Sequence, residues 1–319
     1  MPGEQAAPTV SVCITAYQHA PFIGQCLESV LSQSFPGTLE ILVGDDCSQD
    51  GTREIINTFI FRYPEQIRPF FHDCNLGPSE NHYFLVNRSK GLFIAHLDGD
   101  DFWLPGKLNA QLSMLHEFPK LAAVYSNAYV IDSRNSKLGI FNSNVPSVIS
   151  MHELLKRGNF LNHSSLLYRS SALDALLGMN CPYIDYRIHI RLLKHGKLGY
   201  INTPLVGYRW RTKSSVIRSM PKAIQDGYMD VFREMVSAGA EQHDIQSAIS
   251  KFWGKLVVQA LITKEWGYLN EWRHRLLEEP LIKYSSSVLA SATIMAIPQA
   301  IASFWRRNIT NSKDAVYFP

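Results

Sequence analysis

Residues 39–51, LEILVGDDCSQDG, and residues 92–101, LFIAHLDGDD, decide the fold of this chain. Each is a short apolar run that ends in aspartates: Asp45-Asp46 and Asp50 in the first, Asp98-Gly99-Asp100-Asp101 in the second. Short apolar runs without polar alternation read as strands covered on both faces, as in a parallel sheet. Working outward, residues 9–16 (TVSVCITA) are a β-branched run of the same kind, and residues 67–72 predict a further strand. Between these runs the spacing turns helical. Phe22, Ile23, Cys26, Leu27, Val30 and Leu31 recur at intervals of three and four over 21–34, with Pro21 suited to a first turn. Helices are likewise predicted over 52–61 and 79–89.

Alternation of strand and helix predicts right-handed βαβ units and a parallel sheet. In such sheets ligands gather beyond the carboxyl ends of the strands, which is where both acidic clusters fall. A helix over 107–116 and a strand over 122–129 continue the pattern, and 132–147 reads as a loop or hairpin. Residues 221–279 change character and predict two or three amphipathic helices rich in Trp and Tyr. The expected organisation is a flexible lead over 1–8, an α/β unit over 9–216 and a helical extension over 217–319.

With 319 residues and 46% hydrophobic side chains the chain can fill a sizeable core, which excludes a disordered chain. Lys and Arg number 31 against 28 Asp and Glu, a net charge of +3, which argues against a nucleic-acid polymer as partner. Cys13, Cys26, Cys47, Cys74 and Cys181 are scattered without a CxxC, which fits neither a disulfide framework nor a zinc site and suits a reducing compartment. The opening MPGEQAAPTV lacks the basic and apolar regions of a secretory signal, so a cytoplasmic setting is expected. Residues 285–305 carry no charge and lead into Arg306 and Arg307, but five serines and Pro298 interrupt them. That composition suits a helix over 285–307 lying peripherally on a membrane, or equally one packed on the protein's own core or on a second copy in a homo-oligomer.

The acids carry the chemistry. Asp98 and Asp100, one residue apart across a glycine, can turn toward one point and hold a hard cation such as Mn2+ or Mg2+, leaving coordination sites for a diphosphate. A solvated acidic turn is the alternative. Asp46 is placed to accept hydrogen bonds from a ribose or the N–H edge of a base; the alternative is an N-cap for the next helix, a job Asp50 or Ser48 would do equally well.

The ordered series TVSVCITAYQHAPFI, QCLESVLSQSF, LEILVGDDCSQDGT and CNLGPSENHYFLVNRSKGLFIAHLDGDDFWLPGKL resembles the family 2 glycosyltransferases of GT-A fold, closely over about residues 9–130 and more loosely to about 216. The resemblance implies a mixed, mainly parallel α/β Rossmann-like sheet flanked by helices. It implies an inverting, metal-dependent transfer of a sugar from a nucleotide-diphosphate donor, a UDP-sugar foremost, to a glycan or lipid-linked acceptor in bacterial cell-surface polysaccharide or lipopolysaccharide synthesis. By the same resemblance Thr15, Ala16, Tyr17, Asp46, Asn75, Gly77 and Asp98 contact the nucleotide, and Asp98 and Asp100 hold the metal. Asp185 matches the general base, although Ile184 stands where the family often has Glu, and Glu80-Asn81 stands where it often has Arg-Asn. His163 falls in the acceptor or diphosphate region, and Arg209, Arg211 and Lys213 match a loop near the diphosphate. His189 and His195 read as structural or surface residues rather than catalytic ones. Two rivals compete with this reading: a nucleotidyltransferase, whose Gly-rich phosphate loop Ala16-Tyr17-Gln18-His19-Ala20 does not supply, and a non-catalytic sugar-nucleotide or glycan-binding relative, which the missing Glu favours.

Overall fold

The structure, a computed structural model, describes residues 7–210, 221–264, 266–280, 289–291, 293–294, 298 and 315–318. The β-branched runs β1 (Val10–Ala16), β2 (Leu39–Asp45), β3 (Ile67–Phe71) and β4 (Phe93–Asp98) lie in parallel in the spatial order β3-β2-β1-β4. They are linked by α1 (Ile23–Leu31), α2 (Thr52–Arg62) and α3 (Pro78–Val86). Side chains alternate across the sheet: Val10, Val12 and Ile14 enter one core with α1 and α2, whereas Cys13 enters the other. In register, Ala16 pairs with Asp45 and Thr15 with Asp98. The two acidic clusters therefore flank the end of β1.

After β5 (Phe102–Trp103) and α4 (Lys107–Glu117) the sheet becomes mixed. The long strand β6 (Leu121–Ile131) pairs antiparallel with β7 (Lys137–Asn142), so the stretch read as a loop or hairpin is a hairpin. β8 (Val148–Ile149), α5 (Met151–Arg157) and β9 (Leu167–Arg169) follow, with β9 inserted antiparallel between β4 and β6. The chain then forms α6 (Asp185–Leu192) and β10 (Lys197–Arg209), which runs parallel to β6 through two irregularities around Pro204.

The helices α7 (Pro221–Ser237), α8 (Gln242–Thr263) and α9 (Trp266–Glu278) bury their apolar faces in the core that also holds α6 and Cys13. Tyr228 stacks on Phe252 at 4.4 Å between ring centres, and Phe252 meets the edge of Trp272 at 4.7 Å. Glu234 of α7 pairs with Arg187 at 3.4 Å and Lys194 at 2.5 Å. The extension and the α/β unit thus share one core. A last strand, β11 (Ala315–Phe318), adds in parallel to β7. Residues 285–307 fall mostly outside the described residues, and among those described no helix is long and apolar enough to cross a membrane.

Candidate active site

The end of β1 is tied to the loop after β2. Gln18 N–H donates to Ser48 Oγ at 2.9 Å, His19 N–H to Thr52 Oγ1 at 2.8 Å and Ala20 N–H to Asp50 Oδ2 at 3.0 Å. Asp50 also accepts from Thr52 N–H at 3.1 Å, a turn that leads into α2, whose N-cap position is Gly51. Gln18 and Cys47 take positive φ, 56° and 64°, marking two tight turns at the sheet's mouth. Tyr17 stands 40% exposed beside them.

Asp46 is buried, and its carboxylate clamps the loop before α3: Oδ1 accepts from Leu76 N–H at 2.7 Å and Oδ2 from Gly77 N–H at 2.9 Å. Asn75 Nδ2 donates to the Asp46 carbonyl at 3.3 Å. The sequence expectation gave Asp46 a direct contact with the nucleoside; the structure shows it shaping the loop that carries Asn75 and Gly77. Asn81, at the position of the expected Arg-Asn pair, is a packing residue. Its amide donates to the Gly44 carbonyl at 2.8 Å and its oxygen lies 3.1 Å from His72 Nε2. Neighbouring Asp45 is fully buried and pairs with Arg53 at 3.2 Å.

The second acidic cluster is packed just as closely. Gly99 N–H donates to the Thr15 carbonyl at 2.8 Å, and a Cβ at Gly99 would lie 2.8 Å from His19 Nδ1 and 2.9 Å from Thr15 O. Only glycine lets the turn approach β1 this closely. Asp98 Oδ1 accepts from Thr15 Oγ1 at 3.1 Å and from His96 Nε2 at 3.0 Å. Asp100 lies 3.9 Å from His19 Nε2. Asp101 points inward: Oδ1 accepts from Arg209 N–H at 2.7 Å and Oδ2 from Ser164 Oγ at 2.6 Å. Ser164 Oγ also accepts from Asp98 N–H at 3.2 Å, so one hydroxyl braces both aspartates.

Three carboxylates in one turn make an uncompensated field. Burial, then the charges of Asp100 and Asp98, push the Asp101 carboxyl well above the usual range. Burial would raise Asp98 too, but the His96 and His19 imidazoles and the Thr15 hydroxyl hold it down at about 2. An oxygen-only pair, Asp98 with its ionised carboxylate and Asp100 one residue on, fits a hard divalent cation.

Asp185 opens α6. Its Oδ1 accepts from Asn159 Nδ2 at 2.8 Å and from Tyr186 N–H at 2.8 Å. Burial raises its pKa, Asn159 and the Tyr186 N–H oppose that rise, and the Asp98 charge adds to it. Asp185 therefore lies within the electrostatic reach of the Asp98 carboxylate. Ile184 packs toward α7, where a Cβ at Gly227 would come 3.1 Å from its Cγ2. The family's usual Glu is thus replaced by an apolar contact to the helical extension, and Asp185 is left in place.

Two expected phosphate or substrate contacts, Arg209 and His163, sit among packed side chains. Arg209 is buried; its guanidinium donates to Gln25 Oε1 at 2.6 Å and to the Asp132 carbonyl at 3.2 Å, over the Phe22 ring at 4.4 Å. That packing gives it a structural job at the end of β10. His163 sits among aromatic neighbours, 4.1 Å from His96 and 5.2 Å from His82 between ring centres. Arg211 and Lys213 lie outside the described residues. His189 is buried against Tyr125, with Tyr OH and Nδ1 2.6 Å apart. Sequence reasoning missed Ser164, Asn159 and His96. Only His96 left a signal, since it stands two residues before Asp98 on the same face of β4.

The sequence profile described as "Glycosyl transferase family 2" matches residues 11–177. The chain belongs to glycosyltransferase family 2. Within it, the chain is 29% identical to Escherichia coli WfgD, named UDP-Glc:alpha-D-GlcNAc-diphosphoundecaprenol beta-1,3-glucosyltransferase, over 66% of this chain and 79% of that protein. It is 27% identical to an uncharacterized Mycobacterium tuberculosis protein over 63% of this chain, spanning 58% of that relative's length. The fold is similar to that of S. aureus TarS 1-349 in complex with UDP, at a TM-score of 0.64 and 15% identity over 95% of this chain and 93% of that one. The mannosyltransferase PcManGT from Pyrobaculum calidifontis, solved with GDP-Man and Mn2+, gives a TM-score of 0.53 at 15% identity over 94% and 88%. These likenesses bear out the mixed GT-A sheet.

Proposed function

We propose that this family 2 chain is an inverting glycosyltransferase that moves a sugar from a UDP-sugar to a hydroxyl of a lipid-linked or glycan acceptor in cell-surface polysaccharide assembly. The observation that carries the reading is one carboxylate, Asp185, with a raised pKa, within electrostatic reach of the ionised Asp98 of the Asp98-Gly99-Asp100 turn. The relatives' names support the substrate class: WfgD and WfaP of Escherichia coli are both named as glucosyltransferases acting from UDP-Glc on a diphosphoundecaprenol-linked sugar. A lipid-linked acceptor would bring the enzyme to the membrane surface from the cytoplasmic side, and residues 285–307 are the candidate contact.

Asp98 and Asp100 would hold Mn2+ or Mg2+, which when bound offsets the charge of the leaving nucleoside diphosphate. The chain's own residues do the rest. The Thr15–Tyr17 segment and the loop clamped by Asp46 form the nucleoside side of the mouth. Asp185 takes the proton from the acceptor hydroxyl as that oxygen bonds to the anomeric carbon and the carbon–diphosphate bond breaks on the opposite face. A base whose pKa is lifted by burial accepts that proton more readily than an exposed aspartate would. The presence of Asp185, held by Asn159 and by its own helix N-terminus, argues against a merely binding relative despite Ile184.

A thermal-shift screen tests the class and the donor together. UDP-sugars should raise the melting temperature with Mn2+ present, and Asp100→Ala should abolish the metal-dependent part of the rise. A metal-independent shift of equal size in both proteins would reject the role of the acidic turn.

A further inference from the structure

Directly behind the acidic turn lies a second cluster to which the proposed transfer assigns no chemical step. His82 of α3, His96 of β4 and His163 of the short turn 163–165 meet edge to face or tilted, with ring centres 4.4, 5.2 and 4.1 Å apart. One ring nitrogen of each lies within 4.8 Å of one on each of the others. His82 and His96 are only 3% and 2% exposed. His82 Nε2, His96 Nδ1 and His163 Nδ1 are all buried without a hydrogen-bond partner. Three such nitrogens in one pocket are costly to leave bare, because each loses its water and gains nothing.

Their other nitrogens explain which ones are bare. Asp98 is a carboxylate and only accepts, so His96 Nε2 carries the proton it shares with Oδ1 at 3.0 Å, and Nδ1 is the nitrogen without a partner. His82 Nδ1 lies 3.0 Å from the Tyr183 hydroxyl, leaving Nε2. Metal-bound histidines characteristically present one nitrogen to the ion and the other N–H to a carboxylate or similar acceptor. His96 and Asp98 have that arrangement.

We propose that His82, His96 and His163 form a binding site for a transition-metal ion of the zinc class, separate from the hard-cation site at Asp98 and Asp100. Imidazole nitrogens select such ions, whereas carboxylates select Mg2+ and Mn2+. Tetrahedral coordination at ~2.1 Å sets ligand nitrogens about 3.4 Å apart, so each ring has to move inward by less than ~1 Å. No fourth His, Cys, Asp or Glu joins the group among the described residues, so one coordination position is left to water or a ligand. An ion there would pin α3, β4 and the 163–165 turn to one point. Through His96 it would also fix the orientation of Asp98, which makes the three histidines positioning residues for the donor site.

The test needs neither donor nor acceptor, so its outcome is independent of the glycosyl-transfer reading. The full chain carrying Asp100→Ala, which removes the hard-cation site, is equilibrated with Co2+, desalted and measured by elemental analysis and visible absorption. One retained equivalent with the intense bands of four- or five-coordinate Co2+ is the expected result, and Zn2+ should displace it. Retention of none, or only the weak spectrum of six-coordinate, oxygen-bound Co2+, would overturn the proposal. His82→Gln and His163→Gln should each lose the equivalent while keeping the far-ultraviolet circular dichroism of the parent. If both fold and retain it unchanged, the assignment to these residues is wrong.

Discussion

Asn159→Ala isolates the environment of the proposed base. Asn159 Nδ2 donates a 2.8 Å hydrogen bond to Asp185 Oδ1, while its own amide oxygen is buried without a partner. Removing the side chain therefore deletes one satisfied and one unsatisfied group, and global stability should change little. The effect falls on Asp185. A hydrogen bond to a charged group contributes about 1.5–3 kcal/mol, and the lower end applies to a half-buried carboxylate that water can reach. At about 1.4 kcal/mol per pKa unit, the Asp185 pKa should rise by roughly one unit. The sign follows from the role: a base works deprotonated, so kcat/KM falls as the pH drops through its pKa. Burial already places that acid limb above the ordinary aspartate range. Asn159→Ala should move it about one unit further toward neutral pH, with the plateau at high pH nearly intact. The assay is the pH profile of kcat/KM for both proteins. An acid limb that stays put or moves down would refute the reasoning, and equal loss at every pH would show that Asn159 touches substrate.

Gly99→Ala sets a methyl 2.9 Å from the Thr15 carbonyl, a backbone atom that cannot swing away. It should cost about 1–3 kcal/mol in urea unfolding and weaken metal-dependent UDP binding, whereas wild-type values for both would deny the close approach. Phe252→Ala removes the ring between Tyr228 and Trp272. It should cost about 3–5 kcal/mol within a single cooperative transition, because the helices share the core of the sheet, and a separate early transition would show that they unfold on their own.

The half of the fold that positions the donor was legible because its signals are local. Four apolar runs and the helical spacing between them predict β1–β4 and α2 to within about a residue and α1 and α3 to within about three, and the acidic ends of β2 and β4 locate the mouth. Strand β10 was hidden by Pro204 and by irregular pairing with β6, and β11 depends on a partner, Gly139, that is distant in the chain. At the site, spacing pointed to Asp98 and Asp100 and the family resemblance to Asp185, but neither shows what holds them. Asp46 reads in the sequence as a nucleoside contact, since a sequence does not show that its oxygens also hold two backbone N–H groups of the loop before α3. Ser164 and Asn159 belong to no motif, and their roles appear only when the turn 163–165 and the segment before it fold against β4 and α6. The histidine cluster escaped for a related reason: its members lie on three elements, and in an all-buried strand a single polar residue breaks no pattern.

The most direct test of the central claim is single-turnover sugar transfer by Asp185→Asn, measured beside its affinity for the UDP-sugar. Loss of the general base should lower the rate by about 10²–10⁴-fold while donor affinity stays at the wild-type value. A transfer rate within a few-fold of wild type would contradict the assignment of Asp185 and, with it, the mechanism.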